Sequence, residues 1–214
     1  MENLMRIAEE IRTELDAKNE ARDKALITCR EAIRFCANSI RSIHRGELEE
    51  AARLLNEARV RVRETANELK EHPDLYYTGY VQDAQKEFAE AEVMHAIIQR
   101  RRIPSHRELE IEVAPYLNGF AEAISECRRA ILDLLRSGNM TKAEELLKVM
   151  DDAYYMLVSL DYPDAITGGL RRTMDTVRAV LERTRGDLTV TLRQSELEKV
   201  MREAIQKFEK TSGT

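Results

Sequence analysis

Glycine, proline and aromatic residues are scarce in this chain, and tryptophan is absent. The 214 residues include only 8 glycines and 4 prolines, so there are few positions at which a helix must end. Alanine, leucine, glutamate and arginine, which favour helices, are abundant instead. The composition therefore predicts an all-α fold, a helical bundle of about seven helices joined by short connections.

Long apolar runs are also missing. No stretch approaches the roughly 20 apolar residues that a membrane-spanning helix needs. The amino-terminal segment MENLMRIAEEIR is acidic and amphipathic, which is untypical of a secretory signal peptide. Cys29, Cys36 and Cys127 form no zinc-binding pattern, and we expect them to be small core residues. These features predict a cytoplasmic protein with no membrane partner.

Capping residues and breakers place the predicted helix boundaries. The pattern predicts helices over about residues 2–44, 47–70, 74–102, 115–136 and 141–160, then one to about 185 and one over 188–210. Ser105 and Glu108 predict a short helix opened by a capping box, and Thr141 is the predicted cap of a later helix. We expect one domain over residues 1–210 and a frayed tail over residues 211–214.

Two pairs of carboxylates, Glu87 with Glu90 and Glu122 with Glu126, stand at helical spacing. If their helices face each other, four oxygen ligands converge, which suits a hard divalent cation. Glu87 and Glu90 flank an apolar stripe, where a carboxylate needs a partner. Glu122 and Glu126 lie opposite their helix's core stripe, a position typical of solvent. They join a site only if that face lines a cavity or an interface.

Four arginines, Arg30, Arg34, Arg41 and Arg45, follow one face of the first predicted helix. They extend over about 22 Å along the helix axis, and their stripe contains no acid. The net charge of −5 is not typical of a nucleic-acid-binding protein, so such binding needs a local basic surface of this kind. Two interpretations stay open: a solvated helix face, or a surface that binds the phosphates of a nucleic-acid backbone.

Four segments in order resemble the translin/Trax family, in particular its prokaryotic Trax-like members. They are RDKALITCREAIRFCANSIRSIHRG, QKEFAEAEVMHAIIQ, PYLNGFAEAISECRRAIL and LVSLDYPDAITGGLRRTMDTVRAVLERTRGDL. The resemblance implies an all-α chain that assembles into a hollow homo-oligomer, typically an octamer. It further implies binding of single-stranded RNA and possibly DNA.

For the Trax-type subunits, the resemblance implies a Mg²⁺- or Mn²⁺-dependent endoribonuclease inside the oligomeric cavity. It assigns Glu87, Glu90, Glu122 and Glu126 as metal ligands and catalytic residues, and Arg129 is expected to join the four arginines in contacting nucleic acid. The chain departs from the family pattern at Ala84, where the family has an acid, and at Glu122, where Trax has aspartate. The alternative is a translin-like scaffold that binds single-stranded RNA or DNA without cleaving it.

Overall fold

A computed structural model describes residues 1–212, with side chains through residue 209. Its regular structure over residues 1–212 is entirely helical, which confirms the predicted all-α fold. The helices are α1 (Glu2–His44), α2 (Leu48–Glu68), α3 (Pro73–Tyr76), α4 (Gly79–Ile98), α5 (His106–Leu109), α6 (Val113–Arg136), α7 (Met140–Val158), α8 (Asp164–Thr167) and α9 (Leu170–Ser212). Among these described residues, no helix is long and apolar enough to cross a membrane.

The chain divides into two compact units. One comprises Met1–Ala123 with Asp161–Thr173, and the other comprises Ile124–Leu160 with the described residues from Met174 onward. The expectation of one domain over residues 1–210 stays a prediction. Helix α9 extends into the predicted frayed tail and ends at Ser212, and residues 213–214 lie outside the described residues.

Small residues let the helices of the first unit approach closely. Helix α1 packs against α2 and α4, and the core between them includes Cys29, Cys36, Ala58 and Phe88. All four are essentially inaccessible to solvent, and Cys127 is buried in the second unit. The prediction that the three cysteines are core residues is therefore confirmed. Their burial keeps the thiols from acting as metal ligands or nucleophiles.

Helix α6 passes directly over the backbone of α4 at Gly119. A Cβ atom placed on Gly119 would lie 2.2 Å from the carbonyl oxygen of Lys86 and 2.9 Å from the amide nitrogen of Glu90. Neither backbone atom can move without disturbing a helical turn, so only glycine fits here. The crossing seats α6 on the turn of α4 that carries Glu87 and Glu90.

Two predicted helices differ from the structure at a break. The predicted helix over 74–102 is divided into α3 and α4, because the backbone of Thr78 is extended and its hydroxyl donates to the Leu75 carbonyl. The predicted break near Gly186 is wrong, since α9 runs through it. Glycine weakens a helix by only about 1 kcal/mol, and burial of Thr184 and Leu188 on the same helix outweighs that cost.

The predicted cap of α5 is confirmed, whereas the predicted cap of α7 is wrong. Ser105 and Glu108 form the predicted capping box at α5, with both reciprocal hydrogen bonds present. Thr141 is not the cap of α7, because Asn139 accepts from the Lys142 amide instead. Gly138, with φ of +75°, ends α6 and returns the chain immediately to helix, which places the cap earlier than predicted.

The close crossing predicts a strong effect of Gly119→Ala. The added methyl group overpacks α4 against α6 and should lower the free energy of unfolding by about 1–3 kcal/mol. Gly186→Ala is the matched control, because a Cβ atom there meets nothing within 4 Å. It should stabilise the protein by about 0.5–1 kcal/mol. Urea denaturation measures both, and equal effects of the two substitutions would contradict the crossing.

Candidate functional site

Three acids from two helices converge in the first unit. Helix α4 supplies Glu87 and Glu90, helix α6 supplies Glu122, and one carboxylate oxygen of each lies within 4.8 Å of the others. We call these three residues the acid group. They meet because Glu122 follows Gly119 by less than one turn, so the close crossing brings its side chain to the facing turn of α4.

Burial and like charge make the acid group an unfavourable place for unpaired carboxylates. Glu90 is only 9 % exposed, and the side chains of Glu87 and Glu122 are 29 % and 35 % exposed. Burial raises the pKa of Glu87, the Lys86 ammonium lowers it, and the carboxylates of Glu122 and Asp83 raise it again, with a net rise. These surroundings favour the binding of a cation.

The negative charge of the α4 acids also affects the pKa of the Cys36 thiol on α1. Burial is the main reason that its pKa lies well above the ordinary value, and the charges of Glu87, Glu92 and Glu90 raise it further. Glu92 is itself paired with Arg59 of α2 at 2.5 Å, and that guanidinium stacks on Phe88. The ion pair of Glu92 therefore belongs to the packing of α2 on α4.

Lys86 lies against the acid group. Its Nζ atom is 3.0 Å from each carboxylate oxygen of Glu122 and 3.7 Å from Oε1 of Glu87. Burial lowers the pKa of Lys86, but the hydrogen bond and charge of Glu122 and the charges of Glu87 and Asp83 raise it, so that it stands above its ordinary value. The acids around Lys86 therefore favour its ammonium form.

The donors of the acid group fit a hard divalent cation. Carboxylate oxygens are the ligands that Mg²⁺ and Mn²⁺ prefer, and three of them within 4.8 Å need only small side-chain adjustments to share one ion. The Lys86 ammonium already occupies the position of a cation between Glu122 and Glu87. These residues thus suit the Mg²⁺ or Mn²⁺ that the family resemblance implies.

Glu126, the fourth predicted ligand, belongs by its contacts to the second unit. It is half-buried and stands one helical turn beyond Glu122 on α6. Among the described residues, the group of three mutually close acids does not include it. Its role as a ligand stays a prediction.

A polar cleft opens beside the acid group. It has a volume of about 330 Å³, and its lining includes Lys86, Glu122, Gln82, Asn118 and Thr173. The buried Asn118 amide donates to two backbone carbonyls, at 3.0 Å and 2.8 Å, and accepts from the Thr173 hydroxyl at 2.8 Å. These bonds fix the wall of the cleft that α6 provides, so Glu122 projects from a rigid support.

The predicted arginine stripe lies on the exposed face of α1 and ends at Arg45, the residue directly after this helix. Arg30, Arg34, Arg41 and Arg45 are all exposed, as the phosphate-binding hypothesis requires. The ends of the stripe differ, since Arg45 makes two hydrogen bonds to Glu47 whereas Arg34 stacks on Phe35. Arg41 donates to Asn38, and Arg129 is exposed on α6 in the second unit.

Two solved structures match nearly the whole of this chain. They are a crystal structure of AfC3PO, a translin/Trax protein, and a structure of its complex with duplex RNA, and each chain is 33 % identical in sequence. Each match covers 87 % of this chain and 97 % of the solved chain, with a TM-score of 0.81. The chain belongs to the translin/Trax family.

Two further proteins are similar to this chain. An uncharacterized protein of Methanocaldococcus jannaschii is 34 % identical over 182 residues, which cover 84 % of this chain and 80 % of that protein. The structure of apo-NeC3PO matches with a TM-score of 0.78 over 86 % of this chain and 96 % of that one, and at 21 % identity it supports the fold alone. No family model matches the chain.

The two positions at which this translin/Trax protein departs from the family pattern, Ala84 and Glu122, differ in their surroundings. Ala84 is buried in the core of the first unit, whereas the neighbouring Asp83 is exposed and lines the cleft. Asp83 still adds negative charge near Glu87. Glu122 reaches the acid group despite standing where Trax has aspartate.

Sequence reasoning missed Lys86 and Asn118. Lys86 stands three residues after Asp83 and four before Glu90, so local spacing pairs it with acids of its own helix and does not indicate its contact with Glu122 on α6. Asn118 precedes Glu122 by one turn, and the hydrogen-bonding capacity of an amide beside apolar residues was the signal available there.

Proposed function

We propose that this translin/Trax protein is a metal-dependent endoribonuclease that binds the RNA backbone and hydrolyses it at the acid group. Glu87, Glu90 and Glu122 hold the Mg²⁺ or Mn²⁺ ion, and Glu126 is the proposed fourth ligand. The observation that carries this proposal is the convergence of carboxylates from α4 and α6 at the Gly119 crossing.

A bound divalent cation supplies Lewis-acid stabilisation of phosphate charge and lowers the pKa of water. The protein supplies the carboxylates, whose positions are fixed by two packed helices. Burial of Glu90 limits competition from water for its oxygens. The adjacent cleft gives a nucleotide room to approach Glu122 from solvent.

The partner is RNA, and the support comes from AfC3PO, which was solved in complex with duplex RNA. The proposed contact surface is the exposed arginine face of α1, joined by Arg129. Arginine contacts to phosphates carry little sequence information and weaken as salt rises. We therefore propose weak sequence preference, with single-stranded RNA, duplex RNA and single-stranded DNA as the substrates to compare.

A homo-oligomer is the proposed assembly, and the octamer is the form that the family resemblance implies. Support comes from the first turns of α1, where Leu4, Ile7, Ile11 and Leu15 are all exposed at a spacing of three or four residues. Such a continuous apolar stripe is typical of a helix that packs against another chain.

A second candidate function is a non-catalytic RNA-binding scaffold. The ion pair between Lys86 and Glu122 favours it, because an ammonium supplies a positive charge to the acid group without any metal. Binding of Mn²⁺ by the purified protein distinguishes the two functions.

The endonuclease proposal predicts that Glu87→Gln combined with Glu90→Gln lowers Mn²⁺-dependent RNA cleavage by more than about 100-fold, because two ligands are lost. RNA binding should persist, since neither residue lies on the arginine face. Gel assays of cleavage and fluorescence anisotropy of binding measure the two effects. The control replaces two exposed α9 acids with the same charge change, Glu196→Gln with Glu203→Gln. Unimpaired cleavage by the α4 double variant refutes the site.

The arginine face predicts a salt-dependent loss of RNA affinity in Arg30→Gln with Arg34→Gln. Removal of two phosphate contacts should reduce the slope of log affinity against log salt by roughly 1.5 to 2, equally for unrelated sequences. Arg53→Gln with Arg63→Gln on α2 is the control, because these arginines are also exposed and lie in the same unit. Equal losses in both pairs would place the binding surface elsewhere.

The proposed oligomer predicts that Leu4→Glu with Ile11→Glu lowers the molar mass measured by light scattering, because charges then interrupt the apolar stripe. Val60→Glu, at an exposed apolar position on α2, should leave the mass unchanged. Circular dichroism checks that helix content is retained. A folded double variant with unchanged mass would contradict an interface on this part of α1.

A further inference from the structure

We propose that Lys86 is a built-in counter-ion of the acid group, which a divalent cation must displace before the site is complete. The proposal rests on the metal site proposed above and concerns how that site is regulated. In the metal-free protein the lysine holds the carboxylates together, and its displacement sets the metal concentration at which the site fills.

The position of Lys86 is that of a bridging cation. Its Nζ atom lies 3.0 Å from both carboxylate oxygens of Glu122, which come from α6, and 3.7 Å from an oxygen of Glu87 on its own helix. The ammonium therefore joins the same two helices that a metal ion held by Glu87 and Glu122 would join. It differs from the exposed pair of Lys24 and Glu20, which lies within α1.

The Lys86 ammonium and a metal ion cannot both stand between the carboxylates of Glu122 and Glu87. One carboxylate oxygen of Glu122 accepts from the ammonium and the other lies 3.0 Å from it, so the ammonium stands where an ion shared by Glu122 and Glu87 would stand. Two cations a few ångströms apart in a half-buried site also repel each other strongly. Metal binding at Glu122 consequently requires the ammonium to leave.

The structure provides a place for the displaced side chain. Lys86 lines the cleft of about 330 Å³ together with polar residues that include Gln82 and Thr173. A lysine side chain has a flexible four-carbon stem, so it can turn from the carboxylates into this cleft without moving α4. There its ammonium would face the space from which a phosphate group approaches the acid group.

Calorimetric titration with Mn²⁺ alone, without RNA, tests the proposal on wild-type protein and three variants. Lys86→Gln removes the competing charge and should tighten Mn²⁺ binding by roughly 10-fold or more. Lys86→Arg keeps a cation and should bind like the wild type, and Lys24→Gln controls for the loss of one lysine charge. In EDTA, Lys86→Gln should also unfold at a lower temperature than the wild type, with Mn²⁺ reversing the difference.

The outcomes separate this proposal from the endonuclease proposal. Mn²⁺ binding that is tighter for Lys86→Gln than for the wild type supports the counter-ion. Equal or weaker binding by Lys86→Gln overturns it but leaves the metal site standing. Failure of all four proteins to bind Mn²⁺ overturns both proposals. Mn²⁺ binding without RNA cleavage contradicts only the endonuclease, because the affinity comparison needs no catalysis.

Discussion

The close crossing of α4 and α6 at Gly119 is the contact on which the acid group depends. A helix that carried any side chain at this position would stand further from α4, because the obstructing atoms belong to the backbone turn between Lys86 and Glu90. Glu122 would then recede from Glu87 and Glu90, and three oxygens could no longer approach within 4.8 Å. The absence of one methyl group therefore permits both the packing of the first unit and the convergence of its carboxylates.

The convergence of carboxylates concentrates negative charge, and the protein's own side chains offset part of it. Negative charges on neighbouring carboxylates repel each other, and partial burial strengthens that repulsion. Lys86 forms an ion pair with Glu122 of the acid group, whereas Arg59 forms an ion pair with the neighbouring Glu92 as part of helix packing. The two pairs differ in chemistry. Arginine keeps its charge and makes a planar contact with Phe88 as well, but lysine on its flexible stem can leave its partner.

Local signals predicted the elements well where one strong signal acted alone. Helix α1 has its predicted bounds because nothing interrupts its pattern before Gly46, and the capping box of Ser105 and Glu108 is complete. Errors arose where a weak breaker competed with packing. Gly186 does not end α9, because burial of its neighbours outweighs the small cost of glycine. The break at Thr78 was missed, because the hydroxyl bond that produces it is available to any threonine.

The amino-acid sequence by itself determined the all-α class, the family and the pair Glu87 and Glu90. Their spacing and their place beside an apolar stripe follow from the period of one helix. Only the tertiary structure decided that Glu122 joins them, because its position opposite the core stripe of α6 is equally typical of solvent. Only the tertiary structure revealed Lys86 as their counter-ion, since a residue beside Glu87 in the chain meets Glu122 across two helices. Contacts within a helix are set by periodicity, whereas contacts between helices depend on how closely their backbones can approach.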